Sequence, residues 1–316
     1  MICAGVISSV FNPKDLPDIY RWYDVSETST LTSTTIGTET YVTAINDKSG
    51  NGYHATQTVA DNTPRLETSK AGLPSLDMYR SNKAYYLTDA RINTQVDFTT
   101  FYVLRKGTNQ NDPGMVCGAI FTLKAFHSGA GGIYIGSDDT EAANQGVEDF
   151  LQYDVWGISG NLSTGGTDNA FLDDPANTGW VGPTDVSTDI DYIICHRAKH
   201  EVNAGGTMTL WKNNDHIETM TPPNAMARKA TLTDSHDDST FTGLNGTPNN
   251  CYHYLGIGAH RAGSTDSTST RSPIANTNNG FDYKGHIMEV LDYGRYLSDQ
   301  EVQTILGHLM GKWRVS

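Results

Sequence analysis

Two carboxylates near residue 290 are close enough in sequence to suggest acid–base chemistry. The segment Glu289-Val-Leu-Asp292 lies in an apolar run typical of a strand. Hydrolysis of a glycosidic bond by two carboxylates requires both groups to converge on that bond. Because successive side chains of a strand point to opposite faces, a spacing of three places Glu289 and Asp292 on opposite faces. We therefore predict that this pair is not catalytic, and that Glu289 faces solvent or pairs with a basic group.

Other catalytic signatures are missing from the sequence. It contains no Gly-x-Ser-x-Gly elbow, no His-Glu-x-x-His pair and no Gly-x-x-x-x-Gly-Lys phosphate loop. A site assembled from separate segments would escape such a search, and its candidate members are Asp191, His196, His200 and His260. A lone histidine is more often a structural polar group than a general base. The sequence thus favours a protein that is not an enzyme.

The charge balance bears on the class of partner. With 36 acidic and 22 basic residues, the formal net charge is −14. This charge repels phosphate backbones and anionic lipid surfaces, so we expect neither nucleic acid as a partner nor binding to such membranes. No run reaches the roughly 18 apolar residues of a membrane-spanning helix. The N-terminal segment lacks the basic start and long apolar run of a secretory signal, and we predict an ordered arm or a first strand over about residues 1–15.

The four cysteines are widely separated and form no Cys-x-x-Cys pair, which disfavours a zinc site built from cysteines alone. Two of them, Cys117 and Cys195, lie in apolar, strand-like runs. We expect these two to be buried free thiols that pack as small hydrophobic groups.

Short apolar runs bounded by Gly, Asn, Asp and Ser recur along the chain and predict strands. The composition agrees, because 31 Gly and 16 Tyr with only 18% charged residues favour many strands joined by turns. A tight hairpin is predicted at Asn213-Asn-Asp215, since these residue types tolerate positive φ. The polar, Gly-rich segments 137–144, 159–187 and 262–280 are predicted surface loops. The strand-like runs are 100–104, 115–121, 132–135, 191–195, 208–211, 254–257 and 286–291.

One helix is predicted, over about residues 299–314. Ser298 and Glu301 have the spacing of a capping box, and Leu297 and Val302 occupy the positions of a hydrophobic staple. Acidic residues near its start and basic residues near its end suit the helix dipole. The apolar residues at three- and four-residue spacing predict one buried face, made of Val302, Ile305, Leu306, Leu309 and Trp313.

Four segments, taken in order, carry a resemblance to known domains. They are Trp22-Tyr-Asp24, Asn46-Asp-Lys-Ser-Gly-Asn-Gly-Tyr-His-Ala-Thr-Gln57, Tyr254-Leu-Gly-Ile-Gly258, and Phe281-Asp-Tyr-Lys-Gly-His-Ile-Met-Glu-Val-Leu-Asp-Tyr293 running into Leu297-Ser-Asp-Gln-Glu301 and Lys312-Trp313. These segments resemble the landmarks of concanavalin A-like, laminin-G-like jelly-roll domains, which occur in secreted bacterial proteins and bacteriophage virion proteins. The resemblance spans most of the chain and implies an all-β jelly-roll sandwich, residues 1–316 as a single domain, with a C-terminal helix.

The same resemblance raises the question of calcium, because domains of this family often carry Ca²⁺ at loops on the sandwich rim. Asp47 and Asn51 are the candidate ligands, since Ca²⁺ prefers carboxylate, amide and carbonyl oxygens. The alternative is a structural turn in which Asp47 caps backbone N–H groups and the glycines of residues 47–52 supply positive φ. The turn is the favoured interpretation, and no cofactor is expected to be required. For the acidic cluster Asp234-Ser-His-Asp-Asp238, the two alternatives are a cation site and a solvated charged loop, and the loop is the favoured interpretation.

This fold carries lectins, adhesion modules, hydrolases and virion components, so the resemblance does not by itself assign a function. The prediction is a non-catalytic bacteriophage virion protein (a head decoration, appendage or fibre component) at the virion surface. Its expected partners are other virion proteins, further copies of itself and cell-surface glycans. The alternative is a secreted glycan-active hydrolase or lyase. No ring is singled out as a sugar platform, although four aromatic residues lie in or beside loop-rich segments: Tyr153, Trp156, Trp180 and Tyr252.

Overall fold

The computed structural model describes thirteen parts of the chain. They are residues 11–57, 60–78, 86–88, 92–93, 97–107, 117–124, 129–136, 150–154, 190–199, 207–220, 252–257, 283 and 285–316. The predicted loops 137–144, 159–187 and 262–280 lie outside these residues, as do the first ten residues of the predicted N-terminal arm.

The described residues form seventeen strands and one α-helix, with short 3₁₀ turns at Pro13–Asp15, Thr28–Thr30 and Ala60–Asn62. Every run predicted to be a strand overlaps one of them. The strands are β1 (Ile19–Asp24), β2 (Leu31–Ile36), β3 (Glu39–Ile45), β4 (Ala55–Thr56), β5 (Arg65–Thr68), β6 (Pro74–Asp77), β7 (Tyr86–Thr88), β8 (Ile92–Asn93), β9 (Phe98–Lys106), β10 (Cys117–Lys124), β11 (Gly129–Gly136), β12 (Phe150–Asp154), β13 (Asp191–Lys199), β14 (Thr207–Lys212), β15 (Asp215–Met220), β16 (Tyr252–Ile257) and β17 (Gly285–Tyr293), and the helix is α1 (Asp299–Trp313).

All pairings between the described strands are antiparallel. Fifteen strands form two runs that meet at β3, while β1 pairs with β17 and β8 with β16. One run proceeds from β2 through β3, β5 and β6 to β17, and then through β9, β13 and β14 to β15. The other leads from β3 through β4 and β7 to β16, and then through β10 and β11 to β12. This is an all-β sandwich, as the sequence predicts.

Strand β17 is the centre of the first run. It pairs with β9 along one edge and with β1 and β6 along the other. Trp22 lies opposite Leu291, so the first and last landmarks of the sequence are neighbours in the structure, as predicted. On β9, Phe101 and Val103 pack under α1, while Tyr102 on the opposite face is equally buried. The sheet is therefore covered on both faces here.

Helix α1 closes the outer face of this run, and its predicted features are confirmed. Ser298 and Glu301 form both bonds of the capping box. The five apolar residues predicted to form one face are all buried. At the start of the helix, the Arg197 guanidinium donates to the Leu297 carbonyl and to the Asp299 carboxylate, and so ties α1 to β13. Within the described residues, no helix combines the length and apolar character needed to cross a membrane.

The predicted hairpin joins β14 and β15, with a shorter turn than the sequence suggested. Lys212 pairs with Asp215, so the connection is the two residues Asn213 and Asn214, and Asp215 already belongs to β15. Asn213 has a φ of 53°, the left-handed conformation that asparagine tolerates. Its side chain also accepts a hydrogen bond from the Ile193 amide, which fixes the turn against the neighbouring strand β13.

We expect Trp313→Ala to lower the free energy of unfolding by about 3 kcal/mol or more, because the substitution leaves a large cavity beneath α1. The Trp313 ring is 1% exposed and belongs to the core that joins α1 to the sheet. Denaturant titration followed by circular dichroism measures the loss. Gln303→Ala, at an exposed position of the same helix, is the control and should change stability by less than about 0.5 kcal/mol. A Trp313→Ala protein as stable as this control would contradict the docking of α1.

Candidate functional site

The side chain of Glu289 lies at the junction of β17, β1 and α1 and is 1% exposed. One carboxylate oxygen accepts a hydrogen bond from the Trp22 indole at 2.7 Å. The other accepts from the Trp313 indole at 2.6 Å and from the Lys312 ammonium at 2.7 Å. Glu289 therefore pairs with a basic group, one of the two predicted alternatives, and does not face solvent.

Asp24 of β1 lies directly opposite Glu289 in the strand pairing and shares Lys312 with it. One Asp24 oxygen accepts from Lys312 at 2.7 Å and also from the amide and hydroxyl of Ser26. The other accepts from Lys48 at 2.7 Å. We call Asp24, Lys48, Glu289 and Lys312 the charge cluster. Two carboxylates and two ammonium groups balance its charge, as buried ions require.

The pKa values of the two carboxylates in the charge cluster are shifted in opposite directions. Burial raises the pKa of Glu289, with a further contribution from the charge of Asp24, and Lys312 and Trp313 only partly offset this. Burial also works to raise the pKa of Asp24, but Lys312, Lys48 and Ser26 outweigh it and hold that pKa below its ordinary value. Opposed shifts in neighbouring carboxylates are a feature of acid–base pairs in enzymes.

The hydrogen bonds of the charge cluster decide what it can do chemically. Every carboxylate oxygen of Asp24 and Glu289 already accepts a bond from a side chain of the protein. Lys48, in addition, lies 3.9 Å from the centre of the Trp22 ring and pairs with Glu27. A substrate would have to displace these internal partners before it could reach either acid. The arrangement is that of a clamp between α1 and the sheet.

Asp292 lies on the other face of β17. It accepts from Arg21 at 3.1 Å and from the Thr100 hydroxyl at 3.0 Å, and all three side chains are buried. Burial raises the pKa of Asp292, against the opposing effect of Arg21. Glu289 faces α1 and Asp292 faces away from it, so the prediction that these two carboxylates do not converge is confirmed.

Asp47 and Asn51 adopt the contacts of the predicted structural turn. The Asp47 carboxylate accepts from three backbone amides, those of Trp22, Ser49 and Tyr53, and from the Ser49 hydroxyl. The Asn51 amide nitrogen donates to the carbonyls of residues 19 and 20 on β1. Two glycines of the turn, at positions 50 and 52, have positive φ. The turn thus fastens residues 47–53 to β1, and calcium at Asp47 and Asn51 stays a prediction.

The candidates on β13 do not come together. Asp191 pairs with Arg105 at 2.6 Å, whereas His196, five residues further along the strand, lies on the opposite face against Phe98. Burial lowers the pKa of His196 to about 3, so the ring is neutral at physiological pH and is not tuned as a general base. Cys195 is a buried free thiol, as predicted, and burial raises its pKa.

Several other sequence candidates lie where the structure gives no side-chain description. His200, His260, Trp156, Trp180 and the segment 234–238 fall outside the described residues. Tyr153 and Tyr252 belong to β12 and β16, and Cys117 belongs to β10, but only their backbone is described.

Sequence reasoning missed the pairing of Glu289 with Asp24. In the sequence, Asp24 belongs to the Trp22-Tyr-Asp24 landmark and Lys312 to the closing landmark with Trp313, and neither is predicted to contact Glu289. A signal was present, because in the antiparallel pair that the landmarks imply, the acids of β1 and β17 can lie opposite each other. The register that brings them together, however, could not be obtained from local spacing.

No protein-family model matches the chain, and no curated protein is similar enough to match it. Among solved structures, the binding domain of Paraclostridial mosquitocidal protein 1 matches with 12% identity and a TM-score of 0.45, and the match covers 93% of this chain and 52% of that chain. The receptor-binding domain of botulinum neurotoxin D matches with 10% identity over 95% of this chain and 54% of that chain, with a TM-score of 0.45. A mutant GH54 α-L-arabinofuranosidase matches with 13% identity over 93% of this chain and 59% of that chain, with a TM-score of 0.47. This chain spans about half the length of the first of these. The sandwich assignment rests on the strand pairing and burial described above.

We expect Glu289→Gln to destabilise the protein by about 3 kcal/mol, because it removes one of the two carboxylates that pair with Lys312 and turns an amide N–H group towards buried donors. Glu27→Gln is the matched control. It removes a partner of Lys48 that is 49% exposed, and should cost less than about 1 kcal/mol. Urea titration of both variants compares the two losses. Equal stability of the two variants would show that the charge cluster does not hold α1 to the sheet.

We expect chelation to leave the melting temperature unchanged, because backbone amides and the Ser49 hydroxyl already occupy both oxygens of Asp47. The measurement is a thermal melt in EDTA and again after dialysis into calcium. A magnesium sample is the control for ionic strength. A melting temperature that falls in EDTA and is restored by calcium alone would establish the calcium site at Asp47 and Asn51.

Proposed function

We propose that the protein is a non-catalytic surface component of a bacteriophage virion, which binds glycans of the host surface and associates with other virion proteins and with copies of itself. The proposal that the protein is not an enzyme rests on one observation: its buried carboxylates are bound by other side chains of the protein. Asp24 and Glu289 clamp α1 to the sheet, and Asp292 is neutralised by Arg21 on the opposite face. These three carboxylates therefore stabilise the fold.

The placement on a virion surface is supported by the resemblance of the four sequence landmarks to jelly-roll domains of the concanavalin A-like, laminin-G-like kind. A net charge of −14 is also suited to a protein that remains soluble at high local concentration. A secreted, extracellular protein is the alternative location.

Glycan binding is supported by the pattern of aromatic and polar residues in the sequence. Trp180 lies within the polar segment 159–187 and Trp156 just before it. Aromatic rings next to hydroxyl and amide groups suit sugars, because the rings stack on the apolar face of a sugar while the polar groups bond its hydroxyls. Neither residue is assigned as a ligand contact.

The second candidate function is a secreted glycan-active hydrolase or lyase. The observation that favours it is the pair Asp24 and Glu289, which lie opposite each other with pKa values shifted in opposite directions. Occupation of all four oxygens by internal partners weighs against it.

A panel of bacterial polysaccharides separates the two functions. We expect the purified wild-type protein to bind at least one polysaccharide saturably by isothermal titration calorimetry, and to release no new reducing or unsaturated ends from any of them. Heat-denatured protein is the control for adventitious binding.

Turnover by the wild type would contradict the non-catalytic proposal and would call for Asp24→Asn, checked for a native circular dichroism spectrum. Loss of turnover in a folded Asp24→Asn protein would place the reaction at the charge cluster. A wild type that neither binds nor cleaves any polysaccharide would contradict the glycan-binding part and leave an architectural role.

A further inference from the structure

Strand β2 lies at the outer edge of its sheet. It pairs with β3 along one side, and none of the other described strands pairs with its second side. Its residues from Thr32 to Ile36 are all exposed, on both faces of the strand, and Ile36 is 50% exposed. The turn at Gly37, with a φ of 65°, leads directly into β3. A second row of backbone donors and acceptors is thus presented to solvent.

The sequence of β2 lacks the charged and proline residues that often protect an edge strand. Leu31-Thr-Ser-Thr-Thr-Ile36 contains no charged residue and no proline, and four of its six residues are β-branched. Natural edge strands are commonly shielded by lysine, by proline or by inward-pointing charges. An uncharged, β-branched segment of six residues is instead suited to accept another strand. The register shift in the hairpin lies at Thr32 and Ser33, so the pairing from Ser33 to Ile36 is regular.

We infer that β2 is a self-association edge, which pairs antiparallel with β2 of a second copy of this chain about a two-fold axis near Thr34. This rests on the self-association included in the proposed function and names its surface. The net charge of −14 makes most surfaces of two copies repel each other, whereas β2 contributes no charge. The same strand can therefore serve both copies, as a two-fold interface requires.

The side chains of β2 are self-complementary in this register. Antiparallel pairing about Thr34 places Thr34 opposite its symmetry mate and Ser33 opposite Thr35 of the second copy. Cross-strand pairs of Thr and Ser are favourable because their hydroxyls can bond each other. The exposed Ile36 then lies opposite Thr32 of the second copy, where its apolar surface is partly covered.

Sedimentation equilibrium of the full chain tests the assignment. We expect the wild type to dimerise, and to do so more tightly as sodium chloride is raised, since salt screens the repulsion between two acidic copies. Thr34→Lys brings two like charges together at the axis and should weaken the dimer at least about tenfold. Two variants are the controls. Thr34→Ser keeps the position neutral and keeps its hydroxyl, Gln303→Lys adds the same charge on the exposed face of α1, and both should dimerise like the wild type.

A wild type that stays monomeric up to about 1 mM would overturn the inference. So would a dimer that Thr34→Lys weakens no more than Gln303→Lys does, although self-association itself would then stand. Thermal melts show whether each variant keeps the native fold. Polysaccharide binding by Thr34→Lys, measured as for the wild type, should be retained, so that failure of the edge and failure of glycan recognition are observed separately.

Discussion

The carboxylate of Glu289 is the constraint on which the outer half of this sandwich depends. A charge that is 1% exposed is tolerated only when it is paired and hydrogen-bonded, and Glu289 obtains all its donors from Trp22, Lys312 and Trp313. Those donors come from β1 and from α1. If either element leaves, an ion remains buried without its partners, so the strand, the helix and the carboxylate are stable only together.

The register of β1 against β17 is fixed by buried charges on both faces of the strand pair. On the side of α1, Asp24 meets Glu289 across the shared Lys312, and on the other side Arg21 meets Asp292. A slip of one residue would exchange the two faces of β1 and place the Arg21 guanidinium under α1. Apolar residues alone would tolerate such a slip better than these ions do, which gives the buried charges a role in register as well as in stability.

Local features could be predicted from the sequence, and contacts between distant residues could not. The capping box and buried face of α1 were readable because every residue involved lies within one short segment. The opposite orientation of Glu289 and Asp292 followed from the periodicity of a strand alone. The indole that binds Glu289 from β1, in contrast, is 267 residues away, and the exposure of β2 depends on which strands pair elsewhere. Spacing carries no information about either of these.

The pairing of β1 with β17 also has a consequence for how the chain folds. Arg21 and Asp292 are 271 residues apart, so a long loop must close before they meet. Its closure costs entropy before any contact repays it, and folds dominated by such distant pairings form slowly. During synthesis, β1 is made before β17 and α1, so until those elements appear the Trp22 indole lacks Glu289 and the Asp24 carboxylate lacks Lys312.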